Sequence, residues 1–395
     1  MTSRVATIAL LLPWLVSGCG NAGKVTKADT FGWVQEGDDY APPGEGGFDV
    51  RWSRQLTDRT EARYIPVELA SAAFDPRRQR VYIGTSDGNF FAFRIDGRRL
   101  WLYDALAQIE SQPAIDTLTG EIYLPALDGD IHALDADGNL LWLAPLSGAL
   151  RNQPVLTQDA LYVVGENDVV TALSRKDGTV LWTYEKELVE EITIGGHAGL
   201  LLAEGRLYAA FTDGAVSAID PLDGSVLWEI ETATDVPIRP GNLPRFLDID
   251  TTPVLYEGTL FIASFTAGLY ALDAVSGTLE WRDPKLTAVT GLAVAGRTLV
   301  IASARRGVLM MDLRSREVLW EKTPERGAPT PPVVTERGTV LYGETQGSLL
   351  ALALSDGREV ARAEGGFGFS AIPVVSGGYG GALSNGGRFL LLRVN

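Results

Sequence analysis

The chain of 395 residues is 46% apolar and 9% aromatic, carries a formal charge of −16 at pH 7 with two histidines, and holds one cysteine. Such an acidic chain excludes nucleic-acid binding by counterion release and attachment to anionic lipid through basic patches. A single cysteine excludes any intrachain disulfide.

The first element is a leader. Met1-Thr2-Ser3-Arg4 is a short basic start, and the apolar run from Ile8 to Val16 is too short to span a bilayer as a helix. It leads into Val16-Ser17-Gly18-Cys19, which resembles a bacterial lipobox. That resemblance implies a signal peptide over 1–18 and acyl chains on Cys19, held by burial of their methylenes. Gly20, where Asp would signal retention, implies the outer membrane. Residues 19–47 read as a flexible tether, rich in Gly, Pro and charge and without apolar periodicity; Trp33 interrupts it.

From residue 48 to 395 one unit repeats. Trp101, Trp142, Trp182, Trp228, Trp281 and Trp320 close six copies of one phrase, whose clearest copies read Ala-apolar-(Asp)-x-x-x-Gly-x-x-Leu-Trp, as in Ala133-Leu134-Asp135…Gly138…Trp142. Each unit opens with a strand after Pro or a small residue and continues with a second, such as Val81-Tyr82-Ile83 or Leu161-Tyr162-Val163. Asp-Gly turns at 87–88, 128–129 and 213–214 lead to a third strand, because Asp-Gly suits tight hairpins that need positive φ. The fourth ends at the tryptophan. A period near 40 residues built of strands is the signature of a propeller blade.

Seven units are plain, the seventh carrying Ala361 where a tryptophan is expected. Three further strands follow, and Asp49-Val50-Arg51-Trp52-Ser53-Arg54 supplies the missing fourth from the other end of the chain. The expectation is therefore an all-β, eight-bladed β-propeller of four-stranded blades, its last blade closed by an N-terminal strand, which removes open sheet edges. The tryptophans read as core packed between blades, with the small Ala making room.

The repeat resembles the PQQ-type propeller repeat, found in quinoprotein dehydrogenases and in the BamB family of outer-membrane lipoproteins. Quinoprotein alcohol dehydrogenases use an adjacent cysteine pair and a Ca²⁺ held by acidic and Asn ligands; neither is recognisable here. Asp135, Asp220, Asp273 and Asp312 fall at the turn after the third strand, where a structural hydrogen bond explains them. His132 and His197 have no companion for a zinc set, and no nucleotide or nucleophile-elbow motif stands in its proper context. No catalysis, cofactor or metal is expected.

The BamB likeness is the more specific. Pro244-Arg245-Phe246-Leu247-Asp248-Ile249-Asp250-Thr251-Thr252-Pro253 is similar to that family's Arg-Leu-x-Asp-x-Asp-Thr-Thr-Pro stretch, and Ile192-Thr193-Ile194-Gly195-Gly196 to its Leu-x-Leu-Arg-Gly loop, with Gly195 replacing the Arg. The resemblance implies a non-catalytic scaffold of the β-barrel assembly (BAM) complex. It would sit in the periplasm, lipid-anchored to the outer membrane, and bind the POTRA domains of BamA through Ile192, Ile194, Asp248 and Asp250. Nascent outer-membrane proteins are a further partner class left open. A propeller lipoprotein of another envelope complex and a quinoprotein dehydrogenase are the alternatives.

Spacing leads to the same loops. Successive tryptophans lie 41, 40, 46, 53 and 39 residues apart, and the two long intervals place their extra residues at about 183–199 and 229–250. Both segments join a fourth strand to the next blade, on one face, from adjacent blades. Insertions grouped this way usually mark a binding side.

Overall fold

The computed structural model describes residues 24–27, 48–57, 68–185, 198–232 and 248–394. They form eight antiparallel sheets arranged as an eight-bladed β-propeller, with no α-helix among them. Blade 1 shows the pattern. Its strands β3 (Ala73–Asp75), β4 (Arg80–Gly84), β5 (Asn89–Arg94) and β6 (Arg99–Asp104) lie side by side in chain order. β3 touches Ala114–Ile115, the first strand of blade 2, and first strands meet likewise between blades 5, 6 and 7. First strands therefore ring the axis, and fourth strands form the rim.

Closure between the termini is as expected. β2 (Asp49–Gln55) pairs antiparallel with Arg388–Arg393, the third strand of blade 8, and becomes that blade's rim strand. Beyond it, Leu56 N–H donates to Gly387 O at 2.8 Å. Thr57 donates to buried Glu68 at 3.2 Å, and Glu68 also accepts from Ser86 N–H and Oγ, both at 2.9 Å. The seam between blades 8 and 1 is thus tied by strand pairing and by a buried carboxylate.

One unexpected strand lies in the segment read as tether. β1 (Lys24–Lys27) pairs antiparallel with β6, from Lys24↔Asp104 to Lys27↔Trp101, so blade 1 has five strands. Four residues are too few for periodicity to reveal, and β1 is held by main-chain pairing.

The structure explains the Trp motif atom by atom. The motif Ala is the direct cross-strand partner of its Trp: Ala92↔Trp101, Ala133↔Trp142, Ala172↔Trp182, Ala218↔Trp228 and Ala271↔Trp281. Every pairing of a rim strand slips by one residue just before this position, as between Leu140 and Trp142. The bulge sharpens the local twist, which blunts an otherwise open edge. It also leaves the preceding Leu half exposed, at 50% for Leu141 and 54% for Leu181.

In six of these tryptophans, Trp281 being the exception, the indole N–H then reaches the next blade's turn between third and fourth strands. Trp52 donates to Ile95 O at 2.8 Å, Trp101 to Ala136 O at 3.1 Å, Trp142 to Arg175 O at 2.9 Å and Trp320 to Leu354 O at 2.8 Å. The Gly of that turn lies under the ring. A Cβ on Gly277, at φ +71°, would stand 2.6 Å from Trp228. This arrangement accounts for Ala361. Blade 8 takes its third and fourth strands from opposite ends of the chain, so it has no such turn, and a tryptophan in blade 7 would have nothing to cap.

The four motif aspartates do the structural work expected of them. Asp135 accepts from the N–H groups of Asp137 and Asn139 at 2.9 Å, Asp220 from Leu222 at 2.8 Å, Asp273 from Ser276 at 2.7 Å, and Asp312 from Arg314 at 2.9 Å.

Candidate functional site

Because each blade is a meander, its turns fall alternately on two faces. Turns between the second and third strands share one face with the connections running from each rim strand to the next blade. The described ends of the two long connections lie on this face; residues 186–197 and 233–247, with Ile192 and Ile194, lie outside the described residues.

The ends of both connections are described, and they meet. Gly199 N–H donates to Thr252 Oγ1 at 3.0 Å, with no room for a side chain at Gly199, whose Cβ would lie 2.7 Å from that oxygen. Asn152 Nδ2 donates to Ala198 O at 3.4 Å, and Thr251 exchanges bonds with the backbone of Ala263 at 2.8 and 3.2 Å. Ile249 is buried, bridges to Ser264 and donates its N–H to Phe211 O at 3.3 Å. Residues 248–252 are thus pinned between blades 4 and 5. Asp248 is 1% exposed and Asp250 half-buried. The Gly199–Thr252 bond was not predictable from spacing, since it joins chain segments about 50 residues apart.

Two further polar clusters lie on the same face. Arg151 forms ion pairs with Glu110 and Glu166. Buried Asp168 accepts from Thr212 N–H at 3.3 Å and from the Thr212 hydroxyl, joining the turns of blades 3 and 4.

The opposite face holds an open recess of about 1010 Å³ between blades 2 and 3, bordered by Asp116, Glu121, Thr157 and Arg175. Arg175 directs all five N–H donors into the protein: to Tyr123 Oη at 2.9 Å, Thr157 O at 2.7 Å, Gln158 O at 3.1 Å, Asp116 at 2.5 Å and Glu121 at 3.0 Å. Burial, opposed by Arg175 and aided by Glu121, pushes the Tyr123 hydroxyl up to about 12. With its one central cation saturated, the recess is an inter-blade clasp.

His132 is buried between blades 1 and 2, its Nδ1 2.8 Å from Tyr103 Oη, and among the described residues no three His, Cys, Asp or Glu side chains converge as metal ligands. Burial lowers its pKa to about 4, against 6.5 in the open chain. The unfolded chain therefore binds the extra proton between these values. The resulting stability is complete above pH 6.5 and is lost as pH falls toward 4. Urea unfolding should show a loss of about 2 kcal/mol between pH 7.5 and 5, above the range where carboxylates protonate. His132→Phe should flatten that slope; an unchanged slope would assign it to other groups.

Known proteins resemble this chain as follows. Outer membrane protein assembly factor BamB of Escherichia coli (strain K12) is 28% identical over 137 residues, 34% of this chain and 35% of that protein. The match thus spans about a third of the length of that curated relative. The crystal structure of BamB from Moraxella catarrhalis superposes with a TM-score of 0.71 at 20% identity, covering 88% of this chain and 99% of that one. The quinohemoprotein alcohol dehydrogenase of Comamonas testosteroni shares the fold at TM-score 0.64 and 12% identity, over 89% of this chain and 78% of that one. The family model described as outer membrane protein assembly factor BamB matches residues 96–322, more than half of the chain, and with its PQQ-type repeat the chain belongs to that family.

Proposed function

We propose that the chain is a non-catalytic scaffold of outer-membrane β-barrel assembly, anchored through acylated Cys19 and binding the POTRA domains of BamA with the face that carries its two long connections. The observation behind this reading, beside family membership, is the Gly199–Thr252 bond, which brings the ends of both connections together. A flat, rigid ring offering two adjoining loops suits recognition of another folded domain. Within the patch, half-buried Asp250 makes the charged contact, while buried Asp248 holds the segment in place. Ile192 and Ile194 supply its apolar part.

The quinoprotein alternative needs a site for a quinone and its metal. The single cysteine cannot form an adjacent pair, and the described residues offer no converging ligand set. The described residues therefore do not fit that group.

The test compares Asp250→Ala and the Asp248→Ala/Asp250→Ala double variant, titrated with BamA POTRA domains and melted in parallel. Interface energy concentrates in few residues, at about 2 kcal/mol or more each. Asp250→Ala should therefore weaken binding roughly 30-fold with an unchanged Tm, and the double variant should also lose stability. Full affinity in both variants would remove these residues from the interface.

A further inference from the structure

We propose that β1 is the docked root of the membrane anchor, and that the basic rim of blades 1 and 8 beside it faces anionic phospholipid headgroups. This rests on the reading of Cys19 as the acylated residue and adds an orientation to it.

The first observation is the strand itself. β1 occupies the edge of β6 in a fixed register, Val25↔Tyr103 and Thr26↔Leu102, and among the described residues blade 1 alone carries a fifth strand. Five Cα steps separate Cys19 from Lys24, at most about 18 Å of extended chain. A chain rooted there keeps blade 1's rim next to the bilayer, where an undocked tether of 29 residues (19–47) would let the ring tumble.

The second observation is charge. The chain carries −16 overall, yet this rim gathers arginines. Arg98 and Arg99 are exposed and have no carboxylate partner among the described residues. Arg94 and Arg51 are about half exposed, each with one aspartate, Asp96 at 3.0 Å and Asp49 at 3.5 Å. Arg54 of blade 8 reaches Gly97 O of blade 1 at 3.5 Å, which places these residues on one continuous surface. At the corresponding turn blade 4 has Asp220 and Asp223 and no arginine. Anionic headgroups attract such a cluster within a Debye length, while the acidic remainder is repelled, so both effects turn the same side to the membrane.

The third observation is the ring count. With eight blades, blade 5 stands opposite blade 1, so the connections ending at Gly199 and Thr252 point away from the bilayer, toward the periplasm.

The test uses the full lipidated chain in vesicles of phosphatidylethanolamine and phosphatidylglycerol. Cys19 is the sole cysteine and its thiol is blocked by lipid, so Asp96→Cys (blade 1) or Asp223→Cys (blade 4) gives a single labelling site at equivalent turns. A fluorophore at 96 should be quenched several-fold more by headgroup-labelled lipid than one at 223. Thr26→Pro, which removes an amide donor from β1, and Arg98→Glu/Arg99→Glu should each bring 96 down to the level of 223. Equal quenching at both positions, with Cys19 acylated by mass spectrometry, overturns the docking and leaves the anchor reading intact. An unacylated Cys19 overturns both.

Discussion

Trp52→Ala should lower the unfolding free energy by about 3–5 kcal/mol, a large share of the ~5–15 kcal/mol typical of a domain. The indole is 7% exposed, packs against Phe93 and Phe389 at centroid distances of 5.4 and 5.5 Å, and donates to Ile95 O. These contacts belong to two blades, so its loss loosens blade 8 against blade 1, on the rim strand that no turn joins to its partner Arg388–Arg393. Deleting 20–58 should cost more, because Arg388–Arg393 then becomes an unpaired edge. Deleting only 20–46 removes β1 and none of the closure and should shift Tm by little. Equal melting temperatures for the two truncations would show that the ring closes some other way.

That seam was legible because Asp49–Arg54 carries a Trp as the other rim strands do, and because the eighth unit is otherwise one strand short. Repeats read well wherever one physical need recurs: Ala opposite Trp, Asp at the turn, Gly under the ring. Other features arise where distant segments meet once. The Gly199–Thr252 bond, β1 on blade 1 and the burial of His132 recur nowhere else among the described residues, so no period marks them. Net charge is blind in a related way. A total of −16 is a sum over the surface and says nothing of where Arg98 and Arg99 stand.

Gly277→Val should destabilise the fold by about 3 kcal/mol. A β-branched residue at φ +71° is strained, at about 1–2 kcal/mol, and its Cβ, 2.6 Å from the Trp228 ring, forces repacking at a further ~1–3 kcal/mol. Blade 6 supplies the internal control. There Arg316, at φ +60°, takes the glycine's place with its guanidinium 5.0 Å from the Trp281 ring centre. Arg316→Gly relieves left-handed strain and forfeits a cation–π contact of about 0.5–1 kcal/mol, so its stability should change by less than about 1 kcal/mol. Denaturant unfolding of both variants checks the pair. A mild Gly277→Val would mean that the indole stacking tolerates a side chain in every turn, and that glycine there is incidental.

The reading of this propeller as an assembly scaffold stands or falls on what it holds in the membrane. The direct measurement is affinity isolation of the tagged, lipidated chain from gently solubilised membranes, with the co-isolated proteins quantified and the absorption spectrum of the eluate recorded. The account predicts BamA in near-stoichiometric amount, reduced by Asp250→Ala, and no quinone absorption. An eluate without BamA, or one carrying a bound quinone, would contradict it.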